Sequence, residues 1–152
     1  MNKINILYVD DELNNLNAFK AALRLKYNVL TAISGEEAIN ILRKNPVDII
    51  ITDQRMPKMT GVEFLESIIS EFPDPIRILL TGYADMNAVI NAINKGKVFH
   101  YLTKPWNETE LELTINRGYE LYKQKIDEKE LNYNLSLTNE QLEFLLRQKL
   151  LS

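Results

Sequence analysis

Three short apolar runs in this chain each end in charged residues of the kind that handle divalent metal and phosphate. Residues 4–9 run into Asp10 and Asp11, residues 47–52 into Asp53, and residues 98–103 into Lys104-Pro105. A fourth run, residues 76–80, ends in Thr81-Gly82. If the four runs are parallel strands of one sheet, three carboxylates, a hydroxyl and an ammonium meet at one edge. Mg²⁺ prefers octahedral oxygen ligation, keeps several waters and uses one or two carboxylates beside phosphate oxygens. Asp10, Asp11 and Asp53 supply carboxylates without filling a cage. Anions this close repel one another, so a cation is needed to hold them ionised together. Asp53, at the centre, can act as nucleophile on a phosphoryl group and become an aspartyl phosphate. Metal on one side and Lys104 on the other would neutralise the developing charge, and Thr81 could hydrogen-bond a phosphoryl oxygen. Pro105 can hold the following loop in a fixed turn, cis or trans, that aims the ammonium inward.

Each residue alone has an ordinary explanation. An Asp after a strand is commonly a helix cap or turn residue, Lys-Pro is a loop, and Thr-Gly is a turn. The joint placement separates this chain from that reading, because independent turn residues would not put this complement at successive strand ends. His100, the single histidine, lies within a strand run and reads as structural, neither phosphodonor nor metal ligand.

The elements that must position these residues alternate. An amphipathic stretch from about Glu12 to Leu25 carries Leu16, Phe19, Ala22 and Leu23 on one face. A weak strand at residues 28–31 follows. Ser34 with Glu37, and Thr60 with Glu63, have the spacing of capping boxes that open two further helices. Asn45-Pro46 and the segment Phe72-Pro73-Asp74-Pro75 stop them. A fourth helix spans residues 86–94, closed by Lys95-Gly96-Lys97. Five β-then-α units predict an α/β fold, a five-stranded parallel doubly wound sheet with helices on both faces. The common order 2-1-3-4-5, as in flavodoxin-like folds, reverses direction between strands 1 and 3, and ligands bind beyond the strand ends there. Asp10, Asp11 and Asp53 occupy those two ends.

The 152 residues carry a net charge of −3 and no cysteine. Mild acidity leaves no electrostatic footprint for nucleic acid, and thiolate chemistry is excluded. No apolar run approaches the roughly 18 residues of a membrane span. The reading is a soluble cytoplasmic protein without a signal sequence. From about Trp106 onward the chain reads as one long helix. Leu131, Leu135, Thr138, Leu142 and Leu145 alternate spacings of four and three, a heptad seam that wants a partner. We expect a domain over residues 1–122 and a coiled-coil or linker helix over 123–152. The tail is expected to form a parallel homodimer.

Over about residues 3–122 the chain resembles the receiver domain of bacterial two-component response regulators. The resemblance rests on Asp10-Asp11, Thr52-Asp53-Gln54-Arg55-Met56-Pro57, Gly61, Thr81-Gly82-Tyr83-Ala84-Asp85 and Tyr101-Leu102-Thr103-Lys104-Pro105-Trp106. It implies a switch that phosphorylates and dephosphorylates itself, with no separate catalytic domain in this chain. Asp53 would accept a phosphoryl group from a sensor histidine kinase or phosphotransfer protein. Asp11, Asp53 and the backbone carbonyl of Arg55 would ligate Mg²⁺, and Asp10 would act through a metal-bound water. Thr81 and Tyr101 would be the switch pair. Arg55 and Tyr83, two positions after Asp53 and Thr81, would flank the phosphoryl group and restrict access of water. The fuller wording is similar to receivers that precede HD-type cyclic-di-nucleotide phosphodiesterases or hydrogenase-type transcriptional regulators. The alternative function is therefore a regulatory module of a larger effector.

Overall fold

The structure, a computed structural model, describes residues 3–82 and 86–151. Apolar runs and amphipathic runs alternate as β1 (Asn5–Val9), α1 (Leu13–Leu23), β2 (Asn28–Ala32), α2 (Gly35–Lys44) and β3 (Ile49–Asp53). The chain continues through α3 (Gly61–Ile68), β4 (Ile76–Thr81), α4 (Met86–Asn94), β5 (His100–Thr103) and α5 (Glu108–Leu151). The strands form one parallel sheet in the order β2-β1-β3-β4-β5. β3 is buried at every position, as a central strand covered on both faces requires.

Alternate residues of each strand feed two cores. Ile6 and Tyr8 of β1, Ile49 and Ile51 of β3, and Ile76, Ile78 and Leu80 of β4 pack with Phe19 and Leu23 of α1 and Leu111 and Ile115 of α5. Leu7 and Val9, Ile50 and Leu79 point the other way. They pack with Ala38 and Leu42 of α2, Phe64 and Leu65 of α3, and Val89 and Ala92 of α4. Asp10 therefore continues the parity of Tyr8, and Asp53 that of Ile51.

Local chemistry sets the helix ends. Ser34 and Thr60 each accept a hydrogen bond from the N–H three residues on, Glu37 and Glu63, both at 3.1 Å. Gly96 takes a φ of 74°, the left-handed backbone that a helix C-terminus favours. Asn107 caps α5 by accepting from Glu110 N–H at 3.1 Å, so that helix starts two residues after Trp106. α1 is shorter at both ends than its apolar pattern suggests, and Glu12 gives it no side-chain cap. Val47 is buried but stands outside the ladder, which begins at Ile49.

The chain divides into two compact units, Met1–Tyr122 and Lys123–Ser152. In the second, Leu131, Leu135, Leu142 and Leu145 are all more than half exposed. Tyr133, Leu137 and Phe144 are exposed as well. At about 100° of turn per residue they lie roughly 140° around the helix from the Leu131–Leu145 seam. The helix thus carries a second apolar stripe that the heptad reading passed over. No helix among the described residues is long and apolar enough to cross a membrane.

Candidate functional site

Asp53 closes β3, and its side chain is only 10% exposed. Its Oδ1 lies 2.6 Å from the Lys104 ammonium. Lys104 reaches this point because β5 pairs with β4 through Thr81 and Thr103, and the Lys104 N–H donates to Thr81 O at 3.0 Å. The peptide bond from Lys104 to Pro105 is cis.

Asp10, the first residue after β1, is fully buried. Its Oδ1 accepts from Glu12 N–H at 3.0 Å. Its Oδ2 accepts from Tyr8 Oη at 2.7 Å and Asn15 Nδ2 at 3.1 Å, with Lys104 Nζ 3.7 Å away. Asp11 is half-buried. One carboxylate oxygen from each of Asp10, Asp11 and Asp53 falls in a group within 4.8 Å. This is an all-oxygen, anionic donor set, which suits a hard divalent cation and leaves room for water.

The electrostatics are finely opposed at Asp53. Burial pushes its carboxyl above the ordinary value and the charge of Asp10 adds to that, while Lys104 and the Gln54 N–H pull the other way. Burial also pushes the Tyr8 phenol far up, reinforced by Asp10, so it remains a hydrogen-bond donor.

The loop after β3 is tied back to the site. Gln54 is buried, its carbonyl accepts from Gly61 N–H at 2.9 Å, and its Oε1 accepts from Val62 N–H at 2.9 Å. A Cβ on Gly61 would run into the Asp53 carbonyl oxygen, so only glycine permits this approach. Lys58 completes the loop with a φ of 69°.

Asp10, Asp11, Asp53 and Lys104 are therefore brought together. Thr81 is fully buried at the end of β4, one residue past Leu80, the register partner of Asp53. Its hydroxyl donates to Gly82 O at 2.9 Å. Tyr101 is half-buried on β5, paired with Leu79, and packs against the core beneath α2, α3 and α4. Arg55 is exposed at the rim. Tyr83 lies outside the described residues. His100 belongs to the edge strand but is exposed, with ring contacts to Phe99 and Tyr101, so its place in a strand does not put it in the core.

Three contributors escaped the sequence reading. Tyr8 and Asn15 both bind Asp10, and Gln54 anchors the loop. Tyr8 had one visible signal, a phenol in an otherwise aliphatic strand two residues before a carboxylate of the same parity. With Lys104, Pro105 and Trp106, Tyr8 and Asn15 also line a cleft of about 460 Å³ beside the site.

Residues 6–116 match the family described as the response regulator receiver domain. The hydrogenase transcriptional regulatory protein HoxA of Cupriavidus necator is 37% identical over 115 residues, covering 76% of this chain and 24% of that protein. The chain thus spans about a quarter of the length of such curated relatives. A response regulator receiver domain protein from Clostridium thermocellum superposes with a TM-score of 0.75 at 35% identity, covering 80% of this chain and 98% of that one. The response regulator protein TrrA from Thermotoga maritima, in complex with Mg²⁺-BeF, superposes with a TM-score of 0.67 at 30% identity, covering 76% and 98%.

Proposed function

The chain belongs to the response regulator receiver family, and from that premise we propose that it is a phosphorylation-dependent switch whose acceptor is Asp53. The observation that carries the reading is the convergence of three carboxylates within 4.8 Å with an ammonium 2.6 Å from the central one.

The donor set fits Mg²⁺. Asp11, Asp53 and the Arg55 carbonyl would hold it directly, and Asp10 through a water. When bound, Mg²⁺ supplies the positive charge that offsets the clustered carboxylates and the oxygens of the transferred group. The similar protein TrrA has a structure in complex with Mg²⁺-BeF.

An Asp53 carboxylate oxygen attacks phosphorus of a phosphohistidine on a partner kinase or phosphotransfer protein. The O–P bond forms as the P–N bond breaks, and the imidazole nitrogen keeps the electron pair. Lys104 passes from Asp53 Oδ1 to a phosphoryl oxygen. The Thr81 hydroxyl leaves Gly82 O and donates to another, and Tyr101 turns into the space that Thr81 vacates. Arg55 flanks the group and slows hydrolysis. Switching of this kind is a two-state bias, so a partner that prefers the active state raises phosphoryl-site affinity by the same factor. The protein acts in the cytoplasm, binds neither membrane nor nucleic acid directly, and pairs with a second copy through residues 123–152. Within this chain the proposed activity is its own phosphorylation and dephosphorylation.

A second reading is favoured by one observation. HoxA is matched over only 24% of its length and is named a transcriptional regulator. The same switch then serves as the regulatory module of a larger effector, transcriptional or of the HD-type phosphodiesterase class.

Chemical-shift mapping tests the switch. Beryllofluoride with Mg²⁺ should move resonances at Thr81, Tyr101 and the face formed by α4, β5 and the start of α5. Unchanged shifts on that face would defeat the switching mechanism.

A further inference from the structure

Tyr8 is 1% exposed and stacks on Phe19 with ring centroids 4.1 Å apart. A buried phenol needs a hydrogen-bond acceptor, and Tyr8 finds it in Asp10 Oδ2 at 2.7 Å. Asn15 Nδ2 donates to the same oxygen at 3.1 Å. The Lys104 ammonium faces two anionic oxygens, Asp53 Oδ1 at 2.6 Å and Asp10 Oδ2 at 3.7 Å. Asp10 is the more deeply buried of the two carboxylates. Without other donors its charge would draw the ammonium away from Asp53.

We propose that Tyr8 and Asn15 are positioning residues that saturate Asp10 Oδ2, keeping Lys104 on Asp53 and holding Asp10 back from direct ligation of the cation. This rests on the reading of Asp53 as phosphoryl acceptor and Asp11 as direct ligand. Asp10 Oδ1 is already engaged by the Glu12 N–H. Oδ2 is then the oxygen whose availability Tyr8 and Asn15 set. Tyr8→Phe keeps the ring and its stack but removes the O–H. The freed oxygen, with lone pairs for two partners, draws in both Lys104 and the cation. Lys104 turning to it takes from Asp53 the charge that steadies the incoming phosphoryl group, and the cation turning to it exchanges a water ligand for a carboxylate.

The signature is a pair of opposite changes. Tyr8→Phe should bind Mg²⁺ more tightly and accept a phosphoryl group more slowly, each by about tenfold, the scale of one hydrogen bond to a charged group. Asn15→Ala should move both quantities the same way by less, because Asn15 Nδ2 also reaches Glu12 Oε2 at 3.3 Å. Loosened packing would instead weaken metal binding and transfer together.

The test uses the full chain. Mg²⁺ alone is titrated by calorimetry, and transfer from acetyl phosphate is followed by intact mass. In that transfer the Asp53 O–P bond forms while the P–O bond to acetate breaks. Tighter Mg²⁺ binding with slower labelling in both variants supports the proposal. Unchanged values, or both properties weakened, overturn it. If wild type is labelled at Asp53 while the variants match it, the positioning role alone falls. If wild type is not labelled at Asp53, the functional reading beneath it falls.

Discussion

Gly61→Ala places a methyl group where the fold has no room for one. Gly61 opens α3 directly after the Thr60 cap, with its N–H on Gln54 O at 2.9 Å. The added Cβ would overlap the Asp53 carbonyl oxygen and lie 2.8 Å from Leu79 Cδ1. The oxygen is backbone at the end of a fully buried strand, so no rotamer change relieves the contact. Leu79 is itself fully buried and cannot step aside freely. Overpacking of this kind costs about 1–3 kcal/mol, and the interior helix propensity of alanine offsets little of it at the first residue of a helix. At roughly 4 °C per kcal/mol for a unit of this size, the Tm should fall by about 4–12 °C. The same push acts on the backbone of Asp53, two residues before the proposed Arg55 carbonyl ligand. The rise in Tm on adding Mg²⁺, which reports affinity, should therefore shrink in the variant. Scanning calorimetry with and without Mg²⁺ measures both effects. A variant melting within about 1 °C of wild type, with an undiminished Mg²⁺ response, would refute the claim that close packing at residue 61 holds the site.

Two further outcomes follow from charge and from surface. Burial holds the Asp53 carboxyl above its ordinary value of 3.8, so the folded state binds that proton better than the unfolded state. Its contribution to stability is therefore present below 3.8 and is lost as pH rises through the folded value. Asp53→Asn should accordingly be more stable than wild type at neutral pH without Mg²⁺, with the gap closing in acid, and urea unfolding across pH that shows a less stable variant at neutrality would sink this. Burying each seam leucine contributes roughly 1.5–3 kcal/mol, so light scattering should find the full chain dimeric and a version ending at Tyr122 monomeric; equal dimerisation of both removes the tail as the interface.

The sheet order and the meeting of Asp10, Asp11, Asp53 and Lys104 were legible for a shared reason. Each strand end is announced by an apolar run that stops at a chemically distinctive residue, and Ile49-Ile50-Ile51 leaves little doubt about which strand is central. Ser34 and Thr60 were readable because a capping box is local, with donor and acceptor three residues apart. Tyr8 and Asn15 were not, because their role depends on how α1 packs beside the end of β1. A tyrosine in a strand otherwise satisfies ordinary β propensity. Gln54 was missed because its side chain acts on α3, beyond a loop whose path no spacing encodes. His100 shows the converse: strand membership says little about burial on an edge. On α5 the heptad seam drew attention from Tyr133, Leu137 and Phe144, whose stripe is visible only when angular position is counted around the whole helix.

The role of Asp53 as phosphoryl acceptor is tested most directly by its fate in the presence of acetyl phosphate and Mg²⁺. Intact-mass measurement, followed by reductive trapping and peptide mapping, identifies how many phosphoryl groups are gained and where. The expected result is one phosphoryl group on Asp53 in wild type, dependent on Mg²⁺, and none in Asp53→Asn. Labelling that persists undiminished in Asp53→Asn, or that maps to another residue in wild type, would contradict it.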